Sequence, residues 1–131
     1  LAPILKRLAN LDTDNISFRK KLAQLAQANS DHAAAERWAM SALHINIRDA
    51  DMHALRADAL AAQQKHAAAV KEYDYALQIE PDQLDWRFAL ATAHAKGGNK
   101  AAAKLALEKL LKKSPNFPGA KEMMDDLNVD E

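Results

Sequence analysis

Cysteine is missing from this sequence altogether, which removes disulfides and thiolate chemistry and leaves the compartment, cytoplasmic or periplasmic, open. Three glycines and four prolines in 131 residues leave few places where regular backbone must break. Charge of one sign is not in excess either: 18 basic residues face 18 acidic ones, so no net field recruits polyanions. Aromatic residues make up only 5% of the chain, no like-charge block exceeds three residues, and no zinc-finger or ribonucleoprotein spacing occurs. Nucleic acid is therefore not an expected partner. The apolar runs are broken by charge or amide far short of the roughly 20 residues that span a bilayer, so a soluble chain with no membrane partner is expected.

Recognisable catalytic and cofactor chemistry is also lacking. His32, His44, His53, His66 and His94 do not fall at the helical spacings that gather a metal ion, and surface positions are expected for them. Glu122, Asp125 and Asp126 form an acidic group on a terminal helix, where solvation explains them. No nucleophile has a base at a known spacing, and Gly97-Gly98-Asn99-Lys100 is too short to cradle a phosphate. These readings predict a non-catalytic chain with no metal and no cofactor.

What the sequence does have is alanine and a period. Ala33-Ala34-Ala35 recurs as Ala67-Ala68-Ala69 and Ala101-Ala102-Ala103, each copy 34 residues after the last. Ala23, Ala57 and Ala91 keep the same step, as do Leu43, Leu77 and Leu111, the prolines Pro81 and Pro115, and the large apolar set Phe18, Met52 and Trp86. A fixed period of this length marks stacked supersecondary units, and the wealth of alanine marks those units as helical. The fold class is all-α.

Taken in order, 1–15 reads as a half-repeat, 16–49, 50–83 and 84–117 as three full repeats, and 118–131 as a capping helix with a tail. Each repeat holds two helices: 16–28 and 32–45, about 50–62 and 66–79, and about 84–96 and 100–113. Asp31 and Asn99 stand where they can cap second helices, and Pro81 blocks continuation of the helix before it. In the last helix Ala120, Met124 and Leu127 are expected to face inward and Glu122, Asp125 and Asp126 outward. Ala23, Ala57 and Ala91 are expected to meet Ala35, Ala69 and Ala103 at helix crossings, because axes close to about 8 Å only over small side chains. Phe18, Met52 and Trp86 are expected to pack back on the preceding repeat, and Trp86 and Tyr73 to lie in the core. The half-repeat begins in the middle of a unit with Ile4, Leu5 and Leu8 on one apolar face. Excision from a longer protein is the expectation, with self-association or a domain contact through that face.

These residues make the sequence similar to the tetratricopeptide repeat family over nearly its whole length. The helix-packing leucine is matched by Leu22 and Leu90, the small crossing residues by the two alanine sets, the late aromatic by Tyr73, the following alanine by Ala42 and Ala76, and the exit proline by Pro81 and Pro115. Arg56 stands in place of the packing leucine in the second repeat, Ile47 replaces an exit proline, and Leu110 replaces a late alanine. The inter-helix glycine survives as Gly98, while Ser30 and Gln64 occupy the matching sites; Gln64 is implied to hold positive φ there, and in the first turn Asn29 is expected to take the left-handed conformation.

The resemblance implies a right-handed superhelical stack whose first helices line a concave groove for a peptide or partner helix. On the matching face stand Lys20, Gln24 and Gln27; Asp51, Leu55 and Asp58; and Asp85, Phe88, Thr92 and Lys96. Such a groove would run from basic to acidic, with Asp58 and Asp85 solvated and Phe88 either an apolar anchor for the ligand or buried against the second repeat. Some family members hold a carboxylate terminus through a clamp of basic and amide residues. Here only Lys20 matches that clamp; Gln24, Leu55, Asp85 and Ala89 fill its other positions, and Asp85 would repel a carboxylate. The function implied is a protein-interaction scaffold. An accessory domain of a larger enzyme, such as a bacterial peptidase, or a structural oligomerisation element are the alternatives.

Overall fold

The computed structural model describes residues 16–129, so the half-repeat and its Ile4, Leu5 and Leu8 face lie outside the described residues. Seven helices and no strand occur among those residues: α1 Ile16–Ala28, α2 His32–Ile45, α3 Ala50–Ala62, α4 His66–Ile79, α5 Leu84–Lys96, α6 Lys100–Lys113 and α7 Ala120–Val129. No helix there is long and apolar enough to cross a membrane.

The turn inside each helix pair follows one backbone recipe. Ser30, Gln64 and Gly98 sit at φ of 58°, 64° and 88°, and the next residue donates its N–H back to the carbonyl of Ala26, Leu60 or His94 at 2.8–2.9 Å. This left-handed closure satisfies carbonyls that the ending helix would leave unpaired. The following helix then starts on Asp31 or Asn99, whose side chains accept from the N–H of Ala34 and Ala102 at 3.2 and 3.1 Å. Between pairs, Asp49 caps α3 in the same way through Met52, also at 3.2 Å. The last helix begins at Ala120 rather than at Pro118, because Gly119 takes φ +84° and completes a turn first.

Small side chains set the packing distance. Ala23, Ala35, Ala57, Ala69, Ala91 and Ala103 are all fully buried, and they fall as pairs into three core clusters, one per helix pair. Met52 from α3 joins the cluster built by α1 and α2, and Trp86 from α5 packs on Tyr73 and Leu77 of the pair before it. Each pair is thus coupled to its neighbour as a linear stack. Ala120 and Leu127 are buried and Met124 half-buried under α7, which closes the third cluster.

The stack has an inner and an outer side. Helix α1 approaches α3, and α3 approaches α5, whereas the second helices α2, α4 and α6 show no comparable approach to one another. The first helices therefore line the tighter, concave side, and the second helices splay apart on the convex one.

Candidate functional site

Along the inner face the polar residues are not equally free. Gln24, Asp51, Asp85 and Lys96 are exposed. Asp51 and Asp85 are one period apart at the same position of α3 and α5, and neither has a hydrogen-bond or ion-pair partner among the described residues. Lys20 is already committed: its Nζ lies 2.8 Å from the carboxylate of Asp49, the residue that caps α3. That pair neutralises the basic end of the groove.

Asp58 departs furthest from the solvated role expected of it. Its carboxylate accepts hydrogen bonds from the Tyr73 hydroxyl and from Gln27 Nε2, the latter at 3.3 Å, so it joins α1, α3 and α4. Loss of water around it raises the Asp58 pKa, and the two hydrogen bonds, which favour the ionised form, oppose that rise. Although the residue keeps an exposed edge, the carboxylate is part of the fold. Burial, and then the adjoining Asp58 carboxylate, push the Tyr73 phenol well above its ordinary range.

Two apolar groove assignments also change. Leu55 is only 6% exposed and packs with Ala23 and Met52, so its side chain belongs to the core between α1 and α3. Phe88 is half-buried, its ring centroid 5.4 Å from that of Phe117, and its edge meets Gly119. It holds the α6–α7 turn against α5, which explains why it is not a free anchor. A Cβ at Gly119 would come within 3.3 Å of the Phe88 ring, so the glycine serves both its φ and this contact.

What the inner face does assemble is a cavity of about 320 Å3 between α3 and α5, floored by α4. Ala61, Ala62, Ala89 and Ala93 keep its walls low, and Thr92, Lys96, Tyr73 and His66 supply its polar groups. Thr92 Oγ1 donates to the carbonyl of Phe88 at 2.9 Å. His66 Nδ1 is buried with no hydrogen-bond partner among the described residues. A buried nitrogen of that kind costs free energy unless something bonds it. The sequence placed Thr92 and Lys96 on this face but not His66, which its position in the first turn of a second helix disguised as a surface residue.

A buried polar network was also missed. His53, expected on the surface, is 4% exposed: Nδ1 lies 2.7 Å from Glu72 Oε2 and Nε2 lies 2.6 Å from the Ile47 carbonyl. The other Glu72 oxygen accepts from Arg56. The signal was in the sequence as a paired departure from the period. Where Arg56 replaces a leucine, Glu72 stands at the position of Trp38 and Ala106 in the neighbouring pairs. Among the described residues, no group of three or more histidine or acidic side chains is arranged to hold a metal ion.

The fold recurs in solved structures. The first tetratricopeptide domain of Spaghetti (RPAP3) bound to an HSP90 peptide matches with a TM-score of 0.82 at 14% identity, over 90% of this chain and 94% of that one. The Yersinia enterocolitica type III secretion chaperone SycD, in complex with a peptide of the translocator YopD, gives 0.80 at 14% identity over 89% and 95%. MamA gives 0.87 at 17% identity over 98% and 81%. At these identities the likeness is one of fold. No curated protein sequence matches the chain. The family profile described as "Tetratricopeptide repeat" matches residues 60–127, more than half of the sequence, so the chain belongs to the tetratricopeptide repeat family.

Proposed function

We propose that the chain is a non-catalytic protein-interaction scaffold that receives an extended peptide or partner helix on its concave face. The observation that carries this reading is the inner cavity between α3 and α5, where Thr92, Lys96 and His66 stand among alanine walls. Low walls let a polypeptide approach closely, and a few polar groups among them fix its orientation. Two of the structural neighbours carry bound peptides, which supports the same use of the surface.

Charge gives the ligand a direction. With Lys20 held by Asp49, the exposed charges without a partner at the groove positions are Asp51 and Asp85, with Lys96 beyond them, among the described residues. A ligand that places basic side chains along the second and third pairs fits, and an acidic group fits only near Lys96. Displacing solvent between opposite charges steers encounter and orientation more than it adds affinity. An unpaired acid at position 85 also discriminates against the acidic peptides that clamp-bearing members hold.

Selection from a random peptide library tests this. Recovered peptides should be rich in Lys and Arg, and their binding to an Asp51→Lys, Asp85→Lys double variant should fall by roughly tenfold, with the difference shrinking in high salt. Peptides that bind the double variant as tightly as the parent, at low and at high salt alike, refute the groove assignment.

A further inference from the structure

The largest cavity among those characterised, about 480 Å3, does not open into the groove. It lies on the convex side between α2 and α4, with α3 beneath. Met40, Leu43, Ile47, Tyr75 and Ile79 make its walls apolar, Arg48 stands exposed at its edge, and Arg56 reaches it from α3. The corresponding cleft one period later, between α4 and α6, is half that volume at about 240 Å3. There Leu90 replaces Arg56 and Ala106 replaces Glu72.

Stability does not explain the difference. A leucine fills this position in the first and third pairs, and removing an arginine and a carboxylate from water to pair them gains little over an apolar contact. Arg56 spends one terminal nitrogen on Glu72, keeps 20% of its side chain in solvent, and leaves Nε buried without a partner. Arg48 has no side-chain partner among the described residues; its backbone N–H alone is engaged, with Asn46. Glu72 is the single carboxylate lining the cavity and is shared between Arg56 and His53, so the cleft carries an excess of positive charge over apolar walls. Its mouth is apolar as well: Ile47 is 66% and Tyr75 49% exposed. Both residues line the cavity, so exposed apolar surface runs from its mouth inward.

We propose that this convex cleft is a second docking site, separate from the groove, which takes an acidic polypeptide segment carrying a large apolar side chain. The apolar side chain enters between Met40, Leu43 and Tyr75, and the flanking carboxylates meet Arg48 and the free edge of Arg56. Guanidinium groups suit this task because they desolvate readily and bind carboxylates through paired donors. The groove asks for a basic ligand and the cleft for an acidic one, so the two faces select different partners.

The probe is a blocked hexapeptide, acetyl-Asp-Glu-Leu-Phe-Glu-Asp-amide, titrated into the 15N-labelled chain and followed by amide chemical shifts. Saturable shifts should centre on Ile47, Arg48 and Tyr75. The Asn/Gln analogue of the peptide should bind at least about tenfold more weakly, and so should the acidic peptide with Arg48→Glu, a change at an exposed side chain. An Ile47→Ser variant should weaken both peptides, while the Asp51→Lys, Asp85→Lys variant should retain this site. Absence of saturable shifts up to about 2 mM, where binding energy falls to a few kcal/mol, overturns the proposal. So do equal affinities for the acidic and amide peptides, indifference to Arg48→Glu, or shifts confined to the groove. A third arm uses 4-phenylbutyrate; if it binds as tightly as the hexapeptide, the cleft is a site for free acids and the polypeptide assignment fails.

Discussion

Glu72→Ala offers the sharpest test of how the second helix pair is held together. The Glu72 side chain is 8% exposed, with one oxygen facing His53 Nδ1 at 2.7 Å and the other accepting from Arg56, whose side chain is 20% exposed. Truncation leaves a largely buried guanidinium without its counter-charge and a buried imidazole nitrogen without its partner. Breaking a buried pair from one side costs about 3–5 kcal/mol, and the fifth of Arg56 that stays in water argues for about 3. The companion variant is Arg56→Leu with Glu72→Ala, which installs the pair that the next repeat uses, Leu90 and Ala106. With no guanidinium left to strand, it should be more stable than the single variant and fall short of the parent by only the cost of the unpaired His53 Nδ1, about 1 kcal/mol or more. Urea unfolding followed by helical circular dichroism at pH 7 measures both, provided the slope with denaturant stays constant across the set. A single variant that loses less than about 1 kcal/mol, or a double variant no better than the single, would refute the account of this network as a charge held by its partner.

Four further outcomes follow from the fold. Ala69→Leu should cost about 1–3 kcal/mol, because the added volume enters a crossing where Ala69 is fully buried; an unchanged thermal midpoint removes the packing assignment. Gln64→Gly should stabilise by about 1 kcal/mol by relieving a non-glycine residue at φ 64°, and a loss of stability in the same unfolding assay would contradict it. Tyr73 holds its proton in the fold after the unfolded chain would release it near pH 10, so stability from this site is intact below about pH 10 and declines as pH rises further; Tyr73→Phe should flatten that alkaline decline. The raised Asp58 pKa has the same sign on the acid side: the folded state takes up that proton first, so acidification into the carboxylate range adds stability from Asp58, an increment that Asp58→Asn abolishes.

The parts of this molecule that were legible in the sequence are those where one residue type answers one backbone or packing demand. Alanine at a crossing, a left-handed residue between helices and a short polar cap each recur with the period, so repetition itself identifies their role. Positive φ at Gln64 could be inferred because Gly98 shares its position, whereas in the first turn Ser30 takes it and not Asn29, the residue expected to. The site was less legible, because a groove position names a direction but not a partner. Lys20 and Asp58 point where the period says, yet each is tied down by a residue far along the chain, Lys20 by Asp49 and Asp58 by Tyr73. Leu55 and Phe88 turned inward for the same reason: apolar side chains at the edge of a groove follow the nearest uncovered core, here Met52 and Phe117.

The buried polar groups of the middle pair share an address. Arg56, Glu72 and His53 lie on α3 and α4, and so do Asp58 and Tyr73, on the opposite side of the same helices. At the positions of Arg56 and Glu72 the outer pairs carry leucine, tryptophan and alanine, which shows that the fold does not require an ion pair there. Local rules broken in one place, and mended by partners that change with them, are what a functional constraint leaves in a repeat array. The middle pair is also where both candidate surfaces meet, since α3 and α4 line the inner cavity and the convex cleft alike. Its polar side chains are therefore arranged toward two faces at once, while the alanine crossings between them keep the two helices in register.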